Sequence, residues 1–335
     1  MMEPLVSILL PIHDAQTTLG ASLRSLQRQT LAAWECIAVD DGSSDASLAL
    51  CRGFARSDPR IRVFDRPHRG IVQTLQHGLE HCRAPLVARM DADDLMHRRR
   101  LEAQLAALDA QPELAAVGCH VRLFPRTTLQ DGMREYEKWL AGIDDPESIR
   151  REAFVECPIA HPTLMIRTEI LVEFGYRERG WPEDYDLILR LLERENRLAV
   201  VPERLLSWRK TETSLIRTHP AYSQDRITAC KAEFLARGFL AARDNYVLWG
   251  YGGTGRSLQR ALRSHGKKPS AIVEVHPGRI GNRIQDAPVI APDALIHRRD
   301  QPVVVSVAGA SARQIIRNAL RELGFEELRD YVCAA

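Results

Sequence analysis

The chain has 335 residues, and its 46 Lys and Arg residues nearly balance its 44 Asp and Glu residues, giving a formal net charge of +2. That balance gives no basis for binding nucleic acid, and no stretch approaches the roughly 20 apolar residues that cross a bilayer. The length exceeds that of a usual single domain, so we expect one large domain and a smaller one. Seven cysteines without CxxC spacing, and an opening apolar run too short for a signal peptide, predict a cytoplasmic protein.

The first part of the chain alternates short apolar runs with stretches of helical periodicity. The apolar runs that we predict as strands are residues 6–10, 34–39, 61–64 and 86–90. Strands that alternate with helices at this spacing indicate βαβ units and a mostly parallel sheet. Ligands of such sheets bind beyond the carboxyl ends of the strands. The polar segments at these ends, which we expect to converge on one crevice, are residues 11–14, 40–45, 69–70 and 91–94.

Three carboxylates follow the fourth strand within four positions: Asp91, Asp93 and Asp94. Residues two apart in an extended chain face the same way, so Asp91 and Asp93 can aim at one point. Burying acids at a strand end is costly unless a cation or hydrogen-bond donors compensate. Hard divalent cations are often shared between carboxylates and the phosphates of a substrate. The stretch therefore predicts a metal–diphosphate site, with capping of the next helix as the alternative.

The middle of the chain holds a further strand, a poorly periodic segment and a second acidic motif. Residues 114–124 are typical of a strand, in which Gly118 indicates a bulge. Residues 126–157 are polar and show little periodicity. Glu183 and Asp184 then follow Pro182, at the positive end of a predicted helix, where acids are stabilised. Helix capping by itself is a sufficient explanation for both acids.

The last third of the chain begins with a predicted helix at residues 217–243, which joins a second α/β unit. The loop after the next strand has a GxGxxG pattern: Gly250, Gly252 and Gly255. A strand before and a helix after this pattern are typical of a dinucleotide loop. Glu274 follows where an acid that binds ribose would lie. Glycines also permit tight packing of a strand on a helix, so ligand binding and a docking or dimer role both stay open.

Four motifs together carry a resemblance to a known family: VSILLPIHDA, WECIAVDDGSSDAS, HRGI and ARMDADD. Over roughly residues 5–215 the chain resembles the family 2 glycosyltransferases with the GT-A fold. The resemblance implies a nucleotide-sugar donor held over one divalent metal, Mn²⁺ or Mg²⁺, and inversion at the anomeric carbon. One departure is His13-Asp14, where the family usually has Tyr-Asn.

The resemblance also implies roles for individual residues. Asp93 and Asp94 would bind the metal, and Asp184, which matches the family's Glu-Asp motif, would be the catalytic base. The residues that would bind the nucleotide sugar are Pro11, Asp14, Asp40, Asp41, Arg69, Asp91 and Arg209. Residues 126–157 would contain the loop that is specific for the acceptor.

These observations predict an α/β protein with three parts. They are a GT-A glycosyltransferase domain with a mostly parallel central sheet at residues 1–216, a connecting helix at 217–243 and a small domain at 244–335. The small domain resembles the Rossmann-like α/β domains attached to bacterial sugar-modifying enzymes. For it we predict a nucleotide site at the GxGxxG glycines and Glu274, or a homo-oligomer contact.

The predicted function is transfer of a sugar from a nucleotide-diphosphate donor to a glycan or lipid-linked acceptor, in surface polysaccharide or glycan biosynthesis. We expect a cytoplasmic protein with peripheral association at the inner face of the membrane. One alternative is a regulatory or scaffold protein that binds nucleotide sugars without turnover. Another is an NAD-dependent sugar oxidoreductase, which is disfavoured because about 90 C-terminal residues are too few for a cofactor domain and a substrate domain.

Overall fold

The computed structural model describes residues 3–210 and 219–335. Within these ranges the backbone divides into two compact units. The first unit comprises residues 3–149, 159–179 and 190–210, and the second comprises residues 150–158, 180–189 and 219–335. The predicted boundary between residues 216 and 217 lies outside the described residues.

The first unit is built on one eight-stranded sheet. Its strands are β1 (Val6–Ile12), β2 (Trp34–Asp41), β3 (Ile61–Arg66), β4 (Leu86–Arg89), β5 (Leu95–Met96), β6 (Leu114–Phe124), β7 (Met165–Arg167) and β8 (Arg197–Arg209). Their order across the sheet is β3-β2-β1-β4-β7-β6-β8-β5. Four of the neighbouring pairs are parallel: β3–β2, β2–β1, β1–β4 and β6–β8. The other three pairs are antiparallel, so the expected mostly parallel sheet is confirmed.

Helices connect these strands. They are α1 (Leu19–Gln27), α2 (Ser47–Ser57), α3 (Ile71–Leu79), α4 (Arg100–Ala110), α5 (Asp131–Leu140), α6 (Pro146–Glu152), α7 (Thr168–Phe174) and α8 (Glu183–Glu193). Every residue of β1, β2 and β4 is buried. Strands that are buried on both faces have continuous apolar runs instead of alternating ones, which is why these strands were visible in the sequence.

Gly78 lets α3 approach the sheet closely. A Cβ atom on Gly78 would lie 2.3 Å from Leu9 Cδ1 and 3.0 Å from Val39 Cγ2. The optimal separation of two carbon atoms is about 3.5–4.0 Å, so a side chain has no room there. This packing holds α3 against β1 and β2, and it fixes the polar segment that precedes the helix beside the ends of both strands.

β1 continues through Pro11, although a proline within a central strand normally removes a ladder hydrogen bond. The main-chain nitrogen of Met90 donates to the carbonyl oxygen of Leu9 at 3.2 Å. The polar main-chain atoms of Leu9, and those of Pro11 two residues later, therefore face β4. The ladder between β1 and β4 ends at Leu9. The N–H that Pro11 lacks would have had no partner, so the strand tolerates the residue.

Gly118 does not form the bulge that the sequence suggested, and that prediction is wrong. Gly118 pairs regularly with Val200, and the register shifts between β6 and β8 fall before Ala116 and around His120. Glycine is required at this position for a different reason. A Cβ atom there would lie 2.8 Å from Ile159 Cγ2, so the glycine admits a close neighbour.

The second unit contains a smaller sheet. Its strands are β9 (Asn245–Trp249), β10 (Lys268–Val273), β11 (Arg283–Ile284), β12 (Ala287–Ile290), β13 (Val303–Val305) and β14 (Tyr331–Cys333). Their order is β11-β12-β10-β9-β13-β14. All neighbours are parallel except β11 and β12. A second, smaller α/β unit is thus present, and its Rossmann-like character stays a prediction.

The helices of the second unit include the one that the sequence placed at residues 217–243. After α8, whose first turns also belong to this unit, they are α9 (Gln224–Arg237), α10 (Gly253–Arg263) and α11 (Ala310–Glu322). α9 ends at Arg237, before Gly238, and its buried residues Ala232 and Leu235 belong to the core of the second unit. In the two described ranges, no helix has the length and apolarity that crossing a bilayer demands.

Candidate active site

The carboxylates that follow β4 form one cluster. β4 ends at Arg89, and the next turn carries Asp91, Asp93 and Asp94 before the short strand β5 begins. One oxygen atom of each carboxylate lies within 4.8 Å of the others. The three acids, which we call the acidic turn, are therefore close enough to share one cation.

The end of β8 contacts the acidic turn. β5 pairs antiparallel with β8, with Leu95 opposite Ser207, and this pairing places Arg209 beside the acids. The main-chain N–H of Arg209 donates to Asp94 Oδ1 at 2.6 Å, and Arg209 Nε donates to the carbonyl oxygen of Asp93 at 2.8 Å. Arg209 is thus part of the acidic turn's immediate surroundings.

Two buried arginines that the sequence analysis missed compensate part of the negative charge. Arg89 Nη2 lies 2.7 Å from Asp91 Oδ1. Arg100 is fully buried, and its Nη2 donates to the carbonyl oxygen of Arg89 at 3.0 Å. Gln104 Oε1 accepts from Arg100 Nε at 2.9 Å and fixes the guanidinium. An arginine inside the apolar run of β4 is a signal that a buried acid lies nearby, because an unpaired buried charge is very costly.

Burial and mutual repulsion disfavour the charged forms of two of these acids. Burial, followed by the charge of Asp91, raises the pKa of Asp93 to about 6. Burial and both neighbouring acids raise the pKa of Asp94 well above its usual range. Asp94 is fully buried, and its Oδ2 has no hydrogen-bond partner among the described residues. A divalent cation bound to these oxygens would offset the repulsion and satisfy Oδ2, so the residues fit such a cation.

Asp40 and Asp41, at the end of β2, accept hydrogen bonds from the main chain of two turns. Asp40 accepts from the hydroxyl and the N–H of Ser43, at 2.6 and 3.0 Å, and closes the turn after β2. Asp41 Oδ1 accepts from Arg69 N at 3.0 Å, and Oδ2 accepts from Gly70 N at 2.8 Å. Both acids are buried, whereas the Arg69 side chain is exposed. The β2 end is thereby tied to the segment before α3.

Asp14, which follows β1, lies at the same edge of the sheet. Its backbone has the left-handed conformation, with φ of 45°, which is uncommon for a residue with a side chain. Asp14 Oδ1 accepts from Ser44 N at 2.8 Å, and this hydrogen bond lowers the pKa of Asp14. Pro11 is buried within β1. The segments that follow β1 and β2 therefore meet through hydrogen bonds, as the order of the strands requires.

Asp184 lies in the first turn of α8, within the second unit. Its Oδ1 accepts from the main-chain nitrogen of Tyr185 at 2.7 Å. Glu183 is buried and accepts from the hydroxyl of Tyr222 at 2.6 Å. Asp186 is buried as well, whereas Asp184 is half-buried. Asp184 is therefore the acid of this turn that has the most contact with solvent.

Two of the three glycines of the GxGxxG pattern after β9 are needed for its shape. Gly250 has φ of 94°, and a Cβ atom on Gly255 would lie 2.2 Å from the carbonyl oxygen of Gly250. A Cβ atom on Gly252 would meet no described atom within 4 Å. Glu274 Oε1 lies 3.0 Å from Arg279 Nη1. Packing explains Gly250 and Gly255, and nucleotide binding by this loop stays a prediction.

A family model covers half of the chain. The model described as Glycosyl transferase family 2 matches residues 7–174. This range runs from β1 through α7, and it contains every residue predicted to bind donor or metal except Arg209. Asp184 and nearly all of the second unit lie beyond it.

Two curated relatives are glycosyltransferases by name. The putative glycosyltransferase EpsE of Bacillus subtilis (strain 168) is 28% identical over 228 residues, which are 66% of this chain and 79% of the relative. The amylovoran biosynthesis glycosyltransferase AmsE of Erwinia amylovora is 29% identical over 207 residues, which are 61% of this chain and 75% of the relative. Both alignments cover most of the relative's length.

A solved structure extends the similarity to the fold. The mannosyltransferase PcManGT from Pyrobaculum calidifontis, in complex with GDP-Man and Mn²⁺, superposes with a TM-score of 0.54. Its sequence identity is 16%, and the alignment covers 97% of this chain and 82% of that chain. At this identity the similarity concerns the fold, and it confirms the predicted α/β architecture of the GT-A type.

Proposed function

We propose, since this chain belongs to glycosyl transferase family 2, that it is an inverting and metal-dependent glycosyltransferase. It would move a sugar from a nucleotide-diphosphate donor to a hydroxyl group of the acceptor. The acidic turn supports this proposal, because it follows the carboxyl end of β4, where α/β sheets bind ligands. PcManGT, which shares the fold, was solved with a nucleotide sugar and Mn²⁺.

The cation that we infer is Mn²⁺ or Mg²⁺, held by Asp93 and Asp94. The observation that carries this inference is Asp94 Oδ2, a buried oxygen that lacks a hydrogen-bond partner within the described residues. Carboxylate oxygens are the ligands that hard divalent cations take. The bound cation would stabilise the negative charge that develops on the leaving diphosphate. Asp91 is less suited as a ligand, because Arg89 already contacts its Oδ1.

The other residues at this edge of the sheet are proposed to bind the donor. They are Pro11, Asp14, Asp40, Asp41, Arg69, Asp91 and Arg209. Pro11 would line the pocket of the nucleobase. Asp41, with Asp40 nearby, would contact the base or the ribose. The guanidinium groups of Arg69 and Arg209 supply donors and positive charge of the kind that a diphosphate requires.

Asp184 is the residue that we propose as the catalytic base. Its carboxylate would accept the proton of the acceptor hydroxyl while the hydroxyl oxygen attacks the anomeric carbon. The bond from that carbon to the diphosphate oxygen breaks on the opposite face, and the configuration inverts. The half-buried position of Asp184 supports this role, since a base must be reachable by substrate.

The acceptor is proposed to be a glycan or a lipid-linked saccharide in polysaccharide biosynthesis. The relative AmsE, which is named for amylovoran biosynthesis, supports this choice. We infer a cytoplasmic enzyme with peripheral association at the inner face of the membrane. For the second unit we propose either a nucleotide at Gly250, Gly252, Gly255 and Glu274 or a homo-oligomer contact.

A turnover assay tests the main proposal. The purified chain is incubated with a lipid-linked saccharide acceptor and with UDP-, GDP-, dTDP- or CDP-sugars or NAD, each with Mn²⁺, Mg²⁺ or EDTA, and the anomeric configuration of the product is read by NMR. We expect one nucleotide to support turnover that EDTA and Asp94→Asn abolish. Asp65→Asn, which alters an exposed carboxylate of β3, is the control and should retain activity. Full turnover in EDTA would refute metal dependence, and NAD-dependent sugar oxidation without transfer would refute the transferase assignment.

A second assay addresses the base. Asp184→Asn is expected to lower kcat by about 10²–10⁴-fold, the usual contribution of general base catalysis. The affinity for the donor should stay unchanged, because the amide keeps the shape of the side chain. Glu193→Gln removes an exposed acid at the other end of α8 and is the matched control. Undiminished transfer by Asp184→Asn would show that another group takes the proton.

A further inference from the structure

Two histidines and Asp41 form a second cluster of metal-ligating side chains. Among the described residues, the only groups of three or more His, Cys, Asp and Glu side chains with ligand atoms within 4.8 Å of one another are the acidic turn and the set His13, Asp41 and His68. The rings of His13 and His68 stack, with centroids 4.3 Å apart and an interplanar angle of 26°. Neither histidine has a role in the proposed reaction, so the cluster needs its own explanation.

Both imidazole rings turn the same atom towards Asp41. His68 Nδ1 lies 2.9 Å from Asp41 Oδ2 and 3.1 Å from the Asp41 carbonyl oxygen. His13 Nδ1 lies 3.0 Å from that carbonyl oxygen. Bonds of about 2.1 Å in a tetrahedral Zn²⁺ site place neighbouring ligand atoms about 3.4 Å apart. The 2.9 Å between His68 Nδ1 and Asp41 Oδ2 is close to that separation, and one ligand atom from each of the three residues lies within 4.8 Å of the others.

The two histidines of the cluster are accessible to solvent, and the Asp41 carboxylate is held in a fixed orientation. The side chains of His13 and His68 are 44% and 59% exposed, whereas that of Asp41 is 5% exposed. A cation can thus enter from solvent, while the buried carboxylate stays fixed by the main-chain N–H groups of Arg69 and Gly70. A ligand that is held by outer hydrogen bonds loses little freedom when it binds a metal.

The carboxylate of Asp14 lies near the second ring nitrogen of His13. His13 Nε2 faces Asp14 Oδ2 at 3.7 Å, on the side of the ring that does not face Asp41. The hydrogen bond from Ser44 N keeps Asp14 in place. A carboxylate near the second ring nitrogen is the usual arrangement for a histidine that binds metal through the first. At 3.7 Å this contact is electrostatic, and Nδ1 is the ring nitrogen of His13 that faces Asp41.

We propose that His13, Asp41 and His68 bind a late first-row transition cation such as Zn²⁺. Imidazole nitrogens suit Zn²⁺, Cu²⁺ and Ni²⁺, whereas carboxylate oxygens suit Mg²⁺ and Mn²⁺. The acidic turn offers oxygen atoms alone, and the histidine cluster offers two nitrogens and a carboxylate. The first unit thus contains two cation sites of different chemistry.

One consequence of this site rests on the proposed function. Asp41 is among the residues proposed to bind the nucleobase or the ribose. A cation on Asp41 and the donor would therefore compete for one carboxylate. Zn²⁺ is expected to raise the apparent KM for the nucleotide sugar at saturating Mn²⁺, and His68→Ala is expected to remove this inhibition.

The binding itself is tested with Zn²⁺ alone, on the full chain and without nucleotide, in competition with a chromophoric chelator. We expect His13→Ala and His68→Ala each to weaken Zn²⁺ binding by more than about tenfold, since loss of an outer-shell partner alone typically costs that much. His77→Ala is the matched control. Its ring lies 4.8 Å from that of His81 in the same unit, but it belongs to neither cluster, and its removal should change nothing.

A variant of the acidic turn separates this proposal from the proposed function. The double variant Asp93→Asn, Asp94→Asn is expected to keep Zn²⁺ binding even where transferase activity is lost. Visible absorption of bound Co²⁺ that shows nitrogen ligation in the unaltered chain is a second supporting result, independent of any variant. Zn²⁺ binding that both histidine variants retain, or that disappears with the two aspartates, would overturn the histidine site.

Discussion

Asp93→Asn should stabilise the metal-free protein at neutral pH. The pKa of Asp93 is raised from 3.8 to about 6, so between these two pKa values the folded state holds a proton that the unfolded state has released. Stability from such a group is present at low pH and is lost as the pH rises through the folded-state pKa. At 1.36 kcal/mol for each pKa unit, the charged carboxylate costs about 3 kcal/mol above pH 6. The same relation gives about 1 kcal/mol near pH 4.5.

Chemical denaturation in EDTA measures this difference. The free energy of unfolding of Asp93→Asn should exceed that of the unaltered chain by up to about 3 kcal/mol near pH 7.5 and by about 1 kcal/mol near pH 4.5. Mn²⁺ should stabilise the unaltered chain by mass action and stabilise the variant less. Asp65→Asn is the control, because its carboxylate is 56% exposed and pairs with Arg52 at the surface.

The reasoning is refuted by a specific result. If Asp93→Asn were less stable than the unaltered chain near pH 7.5 in EDTA, the surroundings of Asp93 would on balance stabilise its charged form. Arg89 and Arg209, both near the acidic turn, would then outweigh burial and the repulsion from Asp91. An increase in stability that does not depend on pH would equally exclude the titration of Asp93 as its cause.

Two further predictions concern packing and buried charge, and urea denaturation measures both. Gly78→Ala should lower the free energy of unfolding by about 1–3 kcal/mol, the usual cost of overpacking, because its Cβ would lie 2.3 Å from Leu9 Cδ1. Gly132→Ala, with no described atom within 4 Å of its Cβ, should not destabilise. Arg317→Met should lower the free energy of unfolding by about 3–5 kcal/mol, because it removes a largely buried guanidinium that neutralises acidic side chains; the buried Glu152 and the half-buried Glu327 each have an oxygen within 2.9 Å of Arg317 Nη2. Arg329→Met, at an exposed ion pair, should change stability by at most about 1 kcal/mol, and equal losses at both arginines would contradict this contrast.

Features with a local signature were predictable from the sequence. The runs at residues 6–10 and 34–39 lie inside β1 and β2, because strands buried on both faces need unbroken apolar runs. The convergence of the segments that follow β1 and β2 followed from strand order, since parallel neighbours end at one edge of the sheet. The acidic turn was visible because three carboxylates within four positions follow an apolar run, and burying acids there is costly without a cation or hydrogen-bond donors.

Contacts between distant segments were not predictable in the same way. The hydrogen bond from Arg209 N to Asp94 depends on the pairing of β5 with β8, and β5 has two residues, too few to show a period. The burial of Arg100 depends on partners that fold into place around it. The stacking of His13 on His68 requires α3 to be seated on the sheet before the two rings can meet. Hydropathy along the chain contains none of this information.

The hydrogen bond between Arg209 N and Asp94 Oδ1 has a consequence for how this enzyme can diverge. Every amino acid except proline carries a main-chain N–H, so almost any residue at position 209 can hold the Asp94 carboxylate in place. The side chain at 209 can then change without loss of this hydrogen bond, although a different side chain would lose the contact from Arg209 Nε to the Asp93 carbonyl oxygen. Under the proposed role of Arg209 in donor binding, selection can change the side chain at this position while the orientation of Asp94 is inherited unchanged, and proline is the one substitution that would remove the hydrogen bond to Asp94.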